Sequence, residues 1–159
     1  MLSVRLAVKQ DAALLSAMIR ELAEFERELD AVRIGPQDLE RDGFGQNPAF
    51  RALIAEWNRE PAGYALFCAY YSTWAGRGLF LEDLFVRDHF RHRGIGTRLL
   101  SEVARIAVAE SCYGVHWEVL DWNERALRLY QELGAEFRTS WRPVLLTGAA
   151  LTRLSTLAR

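Results

Sequence analysis

Apolar positions change their period several times along the 159-residue chain, and each change marks an element. Residues 4–8 read as a short strand. After Asp11, a residue suited to capping a helix, Leu14, Leu15, Met18, Ile19, Leu22 and Phe25 recur at i, i+3 and i+4, which predicts an amphipathic helix. Pro36 opens a shorter helical stretch, 37–42, that Gly43-Phe44-Gly45 is expected to end. Residues 50–57 and 63–71 are strand-like runs joined by Asn58-Arg59-Glu60-Pro61, the pattern of an antiparallel hairpin. The run 79–86 is apolar at every position except Glu82 and Asp83, as expected in mid-sheet. A helix over 97–109 turns Leu99, Val103, Ile106 and Ala107 inward, with Gly114 as its stop. A strand over 115–120 follows, then a helix over 124–133 that Asn123 caps and Gly134 closes. A last strand over 142–147 and a helical tail after Gly148 complete the reading. The pattern predicts one mixed α/β (α+β) domain over 1–159: a largely antiparallel sheet, then strand-helix-strand-helix-strand.

Composition narrows the class. Half the residues are hydrophobic and 26% are charged, as in ordinary globular proteins. A formal net charge of −1 gives no polyelectrolyte character, so recognition of ions must come from local patches. Cys68 and Cys112 form no C-x-x-C pair and read as free thiols, buried or half-buried. The first residues lack the apolar core of a signal peptide and no run of 18 apolar residues occurs, so a soluble, cytoplasmic protein is expected.

The strongest chemical signal is Arg91-His92-Arg93-Gly94-Ile95-Gly96-Thr97, between an apolar strand and an amphipathic helix. Two glycines let backbone curl closely around a ligand. The unsatisfied N–H groups of the helix's first turn then favour an anion. Arg91, Arg93 and Arg98 add charge, so a pyrophosphate is the natural occupant. A tight turn into a helix is the alternative reading of the glycines alone. The dinucleotide pattern G-x-G-x-x-G is not completed, since Leu99 stands at its third position, and the P-loop pattern is missing. His89 and His92 read as solvated loop residues rather than metal ligands, with no third ligand in the sequence.

Arg91-x-x-Gly94-x-Gly96, after the strand Leu81-Glu82-Asp83-Leu84-Phe85-Val86, resembles the coenzyme-A motif of the GNAT superfamily of N-acetyltransferases. The segments Glu21-Leu22-Ala23-Glu24-Phe25-Glu26, Asp42-Gly43-Phe44-Gly45 and Trp122-Asn123-Glu124 through Tyr130 to Gly134-Ala135 are similar to the spermidine/spermine and thialysine acetyltransferase branch. The resemblance runs over nearly the whole chain. It implies a mostly antiparallel central sheet flanked by helices, with a splayed strand pair that takes coenzyme A. It also implies acetyl-CoA as co-substrate, no metal, a small-molecule amine as acceptor, and a homodimer. Backbone groups of Leu84, Phe85 and Val86 would bond the pantetheine arm, and the turn Arg91, His92, Arg93, Gly94, Ile95, Gly96 and Thr97 the pyrophosphate. Asn123 and Ala126 would line the opposite wall, and Tyr130 would approach the thioester sulfur.

The chemistry asks for such groups. An amine of pKa about 10.4 is neutral in only about one molecule per thousand near pH 7.4, a cost of about 4 kcal/mol. A base must take its proton, a backbone donor must hold the carbonyl oxygen, and an acid must help the thiolate leave. Tyr130 is the candidate acid, although Ala126, Leu129, Tyr130 and Leu133 also read as one apolar helical face. Glu82 is the candidate base, relaying the proton through water. Strand alternation sends it and its neighbour Asp83 to opposite faces. Glu21, Glu24 and Glu28, near Glu26 and Asp30, would attract a polycation or form a solvated face. The branch carries a tyrosine where Phe25 precedes Glu26 here, so one acceptor contact is lost. His116 and Glu118 fall where the family contacts acceptor, and equally fit one face of a strand.

Other readings share these motifs. A succinyl- or propionyl-transferase would keep them all, and a GNAT-like module that only binds coenzyme A would keep the turn. The cluster Arg87, His89, Arg91, His92, Arg93 and Arg98 also suggests a nucleic-acid patch, against which stand the net charge and the lack of interleaved aromatics. Nothing nominates Cys112 as a nucleophile, so transfer is expected to be direct.

Overall fold

The computed structural model describes residues 1–158 and forms two compact units, Met1–Glu118 and Val119–Arg159. The first holds a five-stranded sheet in the order β1-β2-β3-β4-β5. Its strands are β1 (Leu2–Leu6), β2 (Arg51–Trp57), β3 (Glu60–Ser72), β4 (Gly76–Val86) and β5 (Val115–His116). β1 to β4 are antiparallel neighbours, and β5 lies parallel to β4. Asn58 and Arg59, with φ of 53° and 70°, make the two-residue turn between β2 and β3. Left-handed pairs suit a hairpin because their twist matches that of the flanking strands.

Alternation along the strands divides the core in two. On one face, Ile54, Tyr64, Leu66 and Phe85 pack with Leu15 and Met18 of α1 (Ala12–Phe25) and Leu39 of α2 (Pro36–Phe44). On the other, Ala65, Phe67, Leu79 and Leu81 are buried where α3 (Ile95–Ala109) crosses β3 and β4. α3 turns Ile95, Leu99 and Val103 inward, all at 1% exposure or less. Truncating a side chain such as Leu15 or Leu99 to alanine there costs about 2–5 kcal/mol.

Several boundaries differ from the sequence pattern for identifiable reasons. Asp11 stands at the start of α1 without capping it, because its carboxylate accepts the Arg5 guanidinium at 2.7 and 2.9 Å and the Val8 N–H at 2.8 Å. α2 runs through Gly43 to Phe44 rather than stopping there. The missing side chain at Gly43 admits the Phe50 ring, whose Cζ lies 2.2 Å from where a Cβ would stand. α3 ends at Ala109, well before Gly114: Ser111 takes φ 57°, and the Cys112 N–H closes back on the Ala107 carbonyl at 2.8 Å. The strand expected over 115–120 is paired only at Val115 and His116. Cys68 and Cys112 are both free and half-buried.

The second unit, described by itself, carries α4 (Glu124–Glu132) and α5 (Gly148–Ser155). Asn123 caps α4, its side-chain oxygen accepting the Ala126 N–H at 3.2 Å, and Gly134 takes the left-handed position past its end. Residues 142–147 do not form the expected strand. Val144 and Leu145 are 92% and 85% exposed, so the run has the apolar pattern of a strand but no ladder partner among the described residues.

Candidate active site

The glycine-rich turn leaves β4 through a 3₁₀ turn at Asp88–Phe90 and enters α3 at Ile95. Gly94 has φ 73°, the left-handed region that disfavours any side chain, and its carbonyl accepts the first helical bond from the Arg98 N–H at 2.9 Å. His92, exposed and at φ 63°, bends the chain just before it. Ile95 is 1% exposed and pins the helix start to the core, so only its backbone is available to a ligand. Thr97 is exposed, while a Cβ on Gly96 would stand 3.8 Å from Val86 Cγ2, filling the gap between α3 and the end of β4. This narrow cradle of N–H groups at a helix start suits a phosphate.

The arginines around the turn are not equivalent. Arg91 points back into the fold: its Nε donates to the Val86 carbonyl at 3.1 Å, and Nη2 lies 2.6 Å from Asp88. Its guanidinium also covers the Phe25 ring, 4.8 Å from the centroid. Arg98 pairs with Glu102, and Arg87 is forked onto Glu21. The Arg93 guanidinium lies 5.0 Å from the Trp57 ring centroid and 5.7 Å from that of Phe90. Three of the basic residues that suggested a nucleic-acid patch, Arg87, Arg91 and Arg98, are thus engaged with carboxylates. The pull on an anion comes largely from the backbone, with Arg93 held close by.

β5 pairs β4 only at Leu79 and Phe80, so among the described residues β4 from Leu81 onward has no strand on that edge. Leu84, Phe85 and Val86 lie on this stretch. Phe85 sends its side chain into the core, and Leu84 and Val86 are half-buried. A strand edge without a ladder partner is what an extended amide-bearing chain can join, although the Val86 carbonyl is already taken by Arg91.

On the other edge, β4 carries a bulge. Leu66 of β3 pairs with Asp83, and the next residue, Phe67, pairs with Leu81, so Glu82 has no partner in the ladder. The extra residue overrides the simple alternation expected for the two acids. Asp83 turns to the α1 face, where it accepts the Tyr64 hydroxyl at 2.8 Å. Glu82 is left exposed. Burial pushes the Asp83 carboxyl up, the Tyr64 bond pulls it down, and Glu82 pushes it up again. Glu26, just past the end of α1, is raised by its own burial and by repulsion from Asp83 and Glu28. Burial raises the Cys68 thiol, and Glu82 adds to the effect. Asp83 thus lies near two other carboxylates, Glu26 and Glu82, and a cation relieves the repulsion between them.

The helical face proposed for polycations is different in the structure. α1 stops at Phe25, so Glu28 lies beyond it, and Glu21 is neutralised by Arg87. His116 bonds the Tyr113 hydroxyl through Nε2 at 2.6 Å and stacks on Tyr70, 4.6 Å between centroids. Glu118 lies past β5 and is exposed. In the second unit, Asn123 and Ala126 start α4, and Tyr130 is 7% exposed with a hydroxyl pKa raised by burial. Such a phenol keeps its proton at neutral pH. Two features escaped the sequence reading: Tyr64, which sits in an apolar run with nothing to mark its hydroxyl, and the Phe25–Arg91 contact.

The model of the GNAT acetyltransferase family matches residues 15–135. The chain belongs to the GNAT family. This acetyltransferase is 39% identical to the pig (Sus scrofa) thialysine N-epsilon-acetyltransferase over 96% of both chains. It is 37% identical to the human spermidine/spermine N(1)-acetyltransferase-like protein 1, over 83% of this chain and 20% of that protein. Among solved structures it shares the fold of an aminoglycoside N-acetyltransferase in complex with CoA, with a TM-score of 0.69 and 18% identity, covering 94% of this chain and 95% of that one. The mixed sheet, antiparallel except for β5, fits that membership.

Proposed function

We propose that this GNAT enzyme moves the acetyl group of acetyl-CoA directly onto a primary amine of a small cationic molecule, a lysine analogue such as thialysine, a diamine or a polyamine. The carboxylates of Glu26 and Glu82, grouped with that of Asp83 on β4, carry the reading. A thioester laid along the open edge of β4 presents its carbonyl next to carboxylates that hold an ammonium group. The near-full-length similarity to thialysine acetyltransferases supports the same class of acceptor.

In this reading Glu82 takes the ammonium proton through water as the nitrogen attacks the carbonyl carbon. Backbone N–H groups of β4 hold the oxygen as it becomes an oxyanion. The carbon–sulfur bond then breaks, and Tyr130 gives its proton to the departing thiolate. Phe25, His116 and Glu118 complete the acceptor side, and Asn123 and Ala126 the cofactor side. The two units act as one N-acetyltransferase domain, and the enzyme works as a cytoplasmic homodimer. These last assignments rest on the family resemblance.

Direct transfer is tested by varying acetyl-CoA and amine together and by weighing the enzyme after incubation with acetyl-CoA alone. Intersecting initial-rate lines and an unmodified mass are expected. Parallel lines with an acetylated enzyme would overturn the mechanism.

A further inference from the structure

Tyr64 is the largest fully buried side chain of the sheet, at 0% exposure, yet its hydroxyl reaches the pocket where the acceptor is expected. We propose that Tyr64 is a positioning residue for the acceptor: its hydroxyl holds one oxygen of Asp83, turning that carboxylate so that its other oxygen meets the acceptor's cationic group. This inference rests on the acceptor reading above.

The geometry is specific. Tyr64 of β3 and Asp83 of β4 are not ladder partners: Tyr64 pairs with Phe85 and Asp83 with Leu66, so the contact runs diagonally across the sheet face. The bulge at Glu82 brings Asp83 onto that face. The Tyr64 ring is fixed by the α1 core and leans on Phe85, 6.1 Å between centroids. A hydroxyl on so rigid a ring has little freedom, so Asp83 is held in one orientation.

The electrostatics point the same way. Burial raises the Tyr64 hydroxyl far above its ordinary value, and Asp83, Glu26 and Glu21 raise it further, so it is always protonated and donates. The groups facing Asp83 are Tyr64 from β3, Glu26 from the end of α1 and Glu82 from β4, with the Glu21–Arg87 pair behind. The Tyr64 bond counters burial and the repulsion from Glu82. Without it, Asp83 would hold its proton to higher pH, and the pocket would lose a charge that an ammonium needs. Glu26 then supplies the second charge, so acceptors with a second cationic group gain most from an ionised Asp83.

The test is the pH profile of kcat/KM for a diamine acceptor, with Tyr64→Phe and Asp83→Asn beside wild type. Tyr64→Phe should raise the acceptor KM about tenfold and move the acid limb up by about one pH unit, the size of one charge-assisted hydrogen bond. The acetyl-CoA KM should stay within about twofold, because a tenfold change requires about 1.4 kcal/mol and Tyr64 lies off the cofactor edge. Asp83→Asn keeps an acceptor for the Tyr64 hydroxyl but cannot ionise, so its remaining acid limb belongs to the Glu82 base and should not move when Tyr64→Phe is added. A folded Tyr64→Phe with the wild-type profile would overturn the proposal, as would a Tyr64→Phe shift of the same size in the Asp83→Asn background. Should Tyr64→Phe not fold, the acceptor KM of Asp83→Asn decides: a rise of about tenfold is expected, and a wild-type value would overturn the proposal. A wild type that acetylates no amine at all overturns the acceptor reading and this inference with it.

Discussion

The Arg91 guanidinium covers the Phe25 ring at 4.8 Å, and through it the glycine-rich turn is joined to the end of α1. The same side chain bonds the Val86 carbonyl and Asp88. One residue therefore ties together the turn, the end of β4 and the segment that places Glu26. Phe25 thus offers a flat apolar face to the Arg91 cation.

Phe25→Leu removes that face and keeps apolar bulk. A cation–π contact of about 0.5–1 kcal/mol corresponds to about two- to fivefold, and both the acetyl-CoA KM and the acceptor KM should rise by that factor. Steady-state kinetics with each substrate varied reads the two constants separately. A rise in the acceptor KM alone would show that Phe25 touches only the acceptor.

Gly96→Ala should separate stability from binding. Within a helix, alanine is favoured over glycine by about 0.5–1 kcal/mol, so resistance to urea should hold or increase. The added Cβ enters the gap beside Val86. The acetyl-CoA KM should rise about tenfold or more, in line with a lost charge-assisted bond to phosphate. Gly94→Ala, at φ 73°, should instead lower stability by about 1–2 kcal/mol.

Glu82→Gln should leave the unfolding midpoint unchanged, since the side chain is exposed on a bulge. Loss of a positioned base lowers kcat/KM by about 10²–10⁴. Tyr130→Phe should lower kcat with little change in either KM, because the proton is needed only as sulfur leaves. An unaltered kcat/KM in Glu82→Gln would remove it from the mechanism.

The Arg5–Asp11 fork governs stability in acid. The Arg5 bonds, with help from the Val8 N–H, hold the Asp11 carboxyl below its ordinary range despite burial. Its contribution is complete above the unfolded carboxyl's pKa of about 3.9 and is lost as pH falls through the lower folded value. Asp11→Asn should lose about 1–3 kcal/mol at pH 7, and the difference from wild type should shrink below about pH 3. Urea titrations at several pH values measure both.

The α1 stripe, the β2–β3 hairpin, the Asn123 cap and the glycine turn were legible because each is a local pattern with a local cause. The bulge at Glu82 was not: it exists only in the register between β3 and β4, and no single strand records it. Tyr64 stayed hidden for the same reason, since its partner is 19 residues away and on the next strand. Residues 142–147 show the converse failure. Their apolar run satisfies the strand pattern, but a strand also needs a neighbour, and periodicity carries no information about one. Asp11 shows that a residue suited to capping is captured by a nearer arginine when the fold supplies one.

The central claim is best tested by thiol release from acetyl-CoA with thialysine, lysine, ornithine, putrescine, spermidine, spermine and an aminoglycoside offered in turn. Turnover is predicted with at least one of the small linear amines, together with one acetylated product per coenzyme A released. Tight acetyl-CoA binding with no release on any of the linear amines would contradict it, as would turnover confined to the aminoglycoside.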